Sequence, residues 1–131
     1  MVDDQSALGE MFEIQMRALE ALPVAFPAIA EAATHVTRVI GRGGRLVYCG
    51  AGSSGLIAVQ DGAELPGTFG IDPGQIVFLL AGGLDKASHL LGHVEDDEAA
   101  ACREVDALGP LKNDVVIALS ASGSTPYTCA A

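Results

Sequence analysis

The 131-residue sequence has no tryptophan, few aromatics and little positive charge. Aromatic residues make up 5% of it while half is apolar, so its core must be built from Ala, Val, Ile and Leu. That composition suits strands buried beneath helices better than a β-sandwich. Seven Lys and Arg stand against 17 Asp and Glu, a net charge of −10. The balance argues against nucleic acid, whose binding rests on neutralising phosphates with basic side chains. It leaves room for a small phosphate held by backbone N–H groups and a helix N-terminus.

Long apolar runs are also missing. The longest, Ile76 to Ala81, is far short of the ~20 residues that cross a bilayer, so no membrane is expected as partner. The acidic start, Met1 to Ser6, leads into no apolar stretch and does not read as a signal peptide. Cys49, Cys102 and Cys129 show no C-x-x-C spacing and sit in apolar or helical contexts. Buried free thiols in a cytoplasmic protein are expected, not a disulfide framework. His89 and His93, four apart with Glu95 close behind, superficially suggest a metal, but no third ligand at matching geometry is evident. No metal and no cofactor is expected.

What is present is alternation. Residues 8–41 carry a helical stripe interrupted at Pro23, and Pro27 suits the first turn of a second helix. Gly41, Gly43 and Gly44 stop it. Short apolar strands are predicted at 45–49, 76–80 and 114–119, each ending in a glycine- or serine-rich loop. Helices are predicted over 54–63 and, as one long element, over 87–108. Strand, glycine loop, helix and strand again is the signature of an α/β doubly wound parallel sheet. The division expected is an N-terminal helical segment, 1–42, and a sheet domain, 43–131. Three strands without a last crossover read as the amino-terminal part of a domain truncated at its C-terminal side.

Two loops carry the chemistry. Gly50-Ala51-Gly52-Ser53-Ser54-Gly55 has the formal spacing of a dinucleotide fingerprint. Nucleotide binding also wants an acid at the tip of the second strand, and Leu80-Ala81-Gly82-Gly83 supplies none. The other loop, Ser120-Ala121-Ser122-Gly123-Ser124-Thr125-Pro126, follows the third strand. In the flavodoxin-like order 2-1-3 these loops flank the switch point where ligands bind. Gly52, Ser53, Ser54, Ser120, Ser122, Gly123, Ser124 and Thr125 then suit a phosphate monoester, bound by hydroxyls, amides and helix dipoles. Two ordinary strand–helix turns with N-caps are the alternative.

These loops, with Asp61-Gly62-Ala63-Glu64-Leu65-Pro66-Gly67-Thr68-Phe69-Gly70 and Ala81-Gly82-Gly83 between them, resemble in order the N-acetylmuramic acid 6-phosphate etherases of the SIS (phosphosugar isomerase) superfamily. The resemblance runs from about Gly43 to Tyr127. Its most specific part is the Glu64 segment, which general SIS isomerases lack. It implies an SIS-type flavodoxin-like fold, a homodimer, and a carbon–oxygen lyase that releases lactate and leaves N-acetylglucosamine 6-phosphate, a step of amino sugar metabolism and peptidoglycan recycling. The family's two glutamates fall on Glu64 and Glu95. Elimination needs a base for the ring proton and an acid for the departing oxygen, roles that two carboxyls in different surroundings divide. Glu64, in a drier turn beside Pro66, is assigned as acid and Glu95, on the long helix, as base. The acidic neighbours of Glu95 pull the other way, and the roles stay exchangeable. Without the resemblance, Glu95 reads as a solvated acid beside Asp96, Asp97 and Glu98.

The sequence departs from the family where its loops usually carry arginine: here stand Leu56 and Ser124. That leaves the exact phosphosugar open and favours one alternative, a non-catalytic SIS sensor of a phosphosugar. The other alternative, a sugar-phosphate isomerase, would share the phosphate loops but not the Glu64 segment.

Overall fold

The computed structural model describes residues 3–85, 92–109 and 112–131. It divides into two compact units, one up to His35 and the other from Val36 onward.

The first unit is helical. Helix α1, Asp4–Ala21, begins at Asp3, whose carboxylate accepts from the Ser6 amide at 3.0 Å. Such a cap satisfies one of the amides a helix start leaves unpaired. Pro23 falls in the 3₁₀ turn Leu22–Ala25 that follows, and Pro27 lies in the first turn of α2, Phe26–Gly41, where a missing N–H costs nothing.

The second unit contains the last turns of α2 and a three-stranded sheet. Its strands are β1 (Leu46–Gly50), β2 (Ile76–Leu80) and β3 (Val115–Leu119), all parallel, in the order β2-β1-β3. Leu46 pairs with Ile76 on one side and Val115 on the other, and Gly50 with Leu80 and Leu119. The expected fold class is therefore observed. Every residue of β1 is buried, as a central strand covered on both faces must be.

Successive side chains of a strand point to opposite faces, so the core has two halves. Leu46 and Tyr48 pack with Ala58 of α3 (Gly52–Phe69), and Val36 and Ile40 of α2 lie against them. Val47 and Cys49 pack on the other face with Leu79, Ala101 of α4 (Glu98–Ala107) and Tyr127 of α5 (Pro126–Ala130). Helix α3 approaches the sheet through Gly62, where an added Cβ would lie 2.7 Å from the Phe78 ring.

Two expectations are corrected. No continuous helix fills the described part of 87–108: Gly92–Asp96 is a 3₁₀ turn, and α4 starts only at Glu98. The cause is Asp97, whose carboxylate accepts from the Ala100 amide at 2.8 Å and starts a new helix. Nor are all three thiols buried, since Cys102 and Cys129 are exposed and only Cys49 is enclosed.

The entrance to the sheet is tied by one ion pair. The Arg45 guanidinium donates to Asp114 at 2.7 and 3.0 Å and to the Leu108 carbonyl at 3.1 Å. Arg45 holds the Asp114 carboxyl below the ordinary carboxylate range, chiefly through these hydrogen bonds.

Candidate functional site

The site lies at the carboxyl ends of β1, β2 and β3. The first loop leaves β1 at Gly50 and enters α3 almost at once. Its N-cap is Ala51, which makes no side-chain capping bond. An apolar cap supplies no acceptor of its own to the first-turn amides, a feature that suits an external anion. Ser53 is exposed and Ser54 half-buried.

The other loop knots its hydroxyls together. Ser120 Oγ lies 2.8 Å from Thr125 Oγ1 and 3.3 Å from Ser122 Oγ, and it accepts from the Gly123 amide at 3.0 Å. Ser122 Oγ accepts from the Ser124 amide and from Ser124 Oγ, both at 3.2 Å. Ser122, Gly123 and Ser124 are exposed, while Ser120 and Thr125 are half-buried. Because β1 pairs with β3 and Gly50 stands opposite Leu119, the two loops leave neighbouring strands at the same level. The fold thus brings the expected phosphate residues to one edge.

Glu95 joins them from an element the sequence did not reveal. It lies in the 3₁₀ turn, half-buried, and its carboxylate rests against the α-carbon of Gly52. A Cβ added at Gly52 would sit 3.2 Å from Glu95 Cδ, with one carboxylate oxygen closer still. Gly52 also has φ +54, a conformation other residues rarely adopt. A carboxylate is favoured here, at the positive end of the α3 dipole.

Glu64 does not join them within one copy of the chain. It belongs to α3 itself, not to a dry turn beside Pro66, and it is exposed. It is twelve residues beyond Gly52, or about 18 Å along a helix rising 1.5 Å per residue. Leu56 is partly exposed on the same helix.

The histidine pair is only half visible: His93 is exposed, and His89 lies outside the described residues. Among the described residues no cluster of His, Cys, Asp or Glu has metal-binding geometry, and no helix is long and apolar enough to cross a membrane.

With this geometry in place, the comparison with known proteins is decisive for the family. Residues 13–131 match the family model of the SIS domain. The chain belongs to the SIS domain family. Among curated relatives of this SIS domain are proteins named N-acetylmuramic acid 6-phosphate etherase. That of Geobacillus thermodenitrificans is 51% identical over 90 residues, covering 69% of this chain and 30% of the relative. The Deinococcus radiodurans protein is 43% identical over 124 residues, 95% of this chain and 41% of its own length. The Pectobacterium atrosepticum protein is 39% identical over 135 residues, all of this chain and 45% of that protein. The SIS domain here thus spans less than half of each.

Proposed function

We propose that this SIS domain is part of a phosphosugar lyase that eliminates lactate from the lactyl ether of N-acetylmuramic acid 6-phosphate and adds water across the double bond so formed, giving N-acetylglucosamine 6-phosphate and lactate. The observation that carries the reading is Glu95 against Gly52, beside a hydroxyl-rich loop on the neighbouring strand. Phosphate is assigned to Ser120, Ser122, Ser124 and Thr125, with the first-turn amides of α3 and the Ser53 and Ser54 hydroxyls bordering the sugar. Glu95 then stands where a ring carbon fixed by that phosphate presents its proton, and acts as the base.

The acid must come from elsewhere. A leaving oxygen and the ring proton lie within one sugar's width, so a Glu64 about 18 Å down α3 does not reach the same substrate. Glu64 shares its face of α3 with Ile57, seven residues earlier and 59% exposed. An exposed apolar side chain beside an exposed carboxyl suits a surface covered by another copy. Leu8, Met11 and Phe12 on α1 are also exposed. We assign the protein as a homodimer in which Glu64 of one copy completes the site built around Glu95 of the other.

Complementation tests both parts. Glu64→Gln and Glu95→Gln should each abolish lactate release from N-acetylmuramic acid 6-phosphate in the full-length protein. Mixing and reassociating the two inactive variants should restore about a quarter of the activity, because half the dimers are then mixed and each holds one intact site. A full-length native protein that releases no lactate would overturn the lyase reading, and full activity in both single variants would overturn the roles given to the two glutamates. Inactive singles with no recovery would overturn the shared site. Leu56 and Ser124, which remove the family's cations, favour a phosphosugar sensor as second reading, and that reading takes over if the native protein binds the phosphosugar and releases no lactate.

A further inference from the structure

Two consecutive residues of the 3₁₀ turn rest on two different glycine loops. Glu95 lies against Gly52, and Val94 covers the α-carbon of Gly82. A Cβ added at Gly82 would meet Val94 Cγ2 at 3.2 Å, Cγ1 at 3.4 Å and Cβ at 3.5 Å, so a side chain there would crowd the isopropyl group. Gly82 has φ +81, and it holds that turn without strain.

The two glycines are matched by the sheet. Gly50 pairs with Leu80, and each glycine stands two residues past its member of that pair. The Ala81 amide donates to the Gly50 carbonyl at 3.2 Å, which extends the pairing one residue into the loops. The two loops thus form a ledge that meets the 3₁₀ turn at two glycines, Gly52 and Gly82. On the far side Asp97 caps α4 and fixes the turn's exit. The Asp97 amide donates to the Val94 carbonyl at 3.3 Å, and the turn also lies beside α5.

We propose that Val94 is a positioning residue: seated on Gly82, it sets the rotation of the turn and so aims the neighbouring Glu95 carboxylate over Gly52. The inference rests on the assignment of Glu95 as base. Without the isopropyl contact the turn rotates on its ledge, and the carboxylate loses its place over the loop while the hydroxyl loop that binds phosphate is untouched. A displacement of about 1 Å in a reacting group is worth about 10²-fold in rate.

The test compares Val94→Ala, the isosteric Val94→Thr and Glu95→Gln in the full-length protein, by kcat and KM for N-acetylmuramic acid 6-phosphate. Val94→Ala should lower kcat by about 10- to 100-fold with KM within about threefold. Val94→Thr, which keeps the shape, should restore most of kcat. Where Val94→Ala fails to fold, Val94→Cys, a smaller loss of volume, carries the same test. Wild-type kcat in Val94→Ala or Val94→Cys, with Glu95→Gln inactive, overturns the positioning role and leaves the lyase reading intact. A fully active Glu95→Gln overturns the assignment of Glu95 as base and the positioning role with it.

Discussion

The Tyr48 hydroxyl donates to the Asp61 carboxylate, joining the middle of β1 to the middle of α3. Tyr48 is buried, stacks with Phe78 at a centroid distance of 5.9 Å, and reaches polar surface only through its hydroxyl. Asp61 lies three residues before Glu64 on α3, so the bond fixes the helix face from which Glu64 projects. Tyr48→Phe keeps the ring and removes the bond. It should cost about 1 kcal/mol, because the exposed Asp61 carboxylate regains water. A urea titration read by circular dichroism checks this. A loss above about 3 kcal/mol would mean that Tyr48 carries more than one hydrogen bond and its packing.

The opposite face predicts an alkaline limit to stability. Burial, and then the charge of Glu104, push the Cys49 thiol up to about 11, against about 8.5 in an unfolded chain. A raised folded value means that the native state keeps a proton the unfolded chain releases. The contribution is whole below about pH 8.5 and is lost as the pH rises through about 11. Burial and their carboxylate partners raise Tyr48 and Tyr127 as well, which carries the loss further upward. Unfolding free energy measured from pH 7 to 10.5 should fall above about pH 8.5, and Cys49→Ala should flatten the first part of that fall. A flat wild-type curve would contradict the burial of Cys49.

The Arg45–Asp114 pair sets the acid limit. Its folded carboxyl titrates below the unfolded value, so its contribution is present above about pH 4. It is lost as pH falls through the lower folded value. Asp114→Asn should destabilise by about 1–3 kcal/mol at pH 7, the typical cost of weakening a charged hydrogen bond. The variant should approach the native protein in stability near pH 2. A constant difference down to pH 2 would show that Asp114 acts through packing alone.

How much of this was legible in the sequence follows from what each element buries. The strands lie within one residue of expectation, since strands covered on both faces must be apolar without a break. The order β2-β1-β3 and the two facing loops follow from the same alternation. Helix α3 hid its buried face because that face is made of Gly55, Ala58 and Gly62, while Leu56, Ile57 and Phe69 face outward. A pattern that looks for large apolar residues therefore misses which way Glu64 points. The place of Glu95 was hidden by the spacing of Val94, Ala101, Val105 and Leu108, which suits one helix but runs across the cap at Asp97. Asp97, followed by Glu98 and then three alanines, was the signal available for that break. The contacts of Glu95 and Val94 with Gly52 and Gly82 join residues far apart in sequence, and no local pattern announces them.

Ser122 separates a binding loop from a mere turn. Its hydroxyl is exposed and accepts from the Ser124 amide and hydroxyl, whereas Ser120 is half-buried and joins Thr125, Ser122 and the Gly123 amide. The two serines should therefore fail differently. Ser120→Ala removes the hub of the loop and should lower both stability and phosphosugar affinity. Ser122→Ala should leave the melting temperature within a degree or two and weaken phosphosugar binding by about 1–3 kcal/mol, the cost of leaving a charged group one donor short. That is a loss of about 5- to 150-fold in Kd, read by calorimetry with N-acetylglucosamine 6-phosphate. N-acetylglucosamine without its phosphate should bind both Ser122→Ala and the native protein equally weakly, which assigns the loss to the phosphate. Unchanged affinity for the phosphosugar in a folded Ser122→Ala would reduce this loop to a strand–helix connection, and would move the phosphate to the amides that open α3.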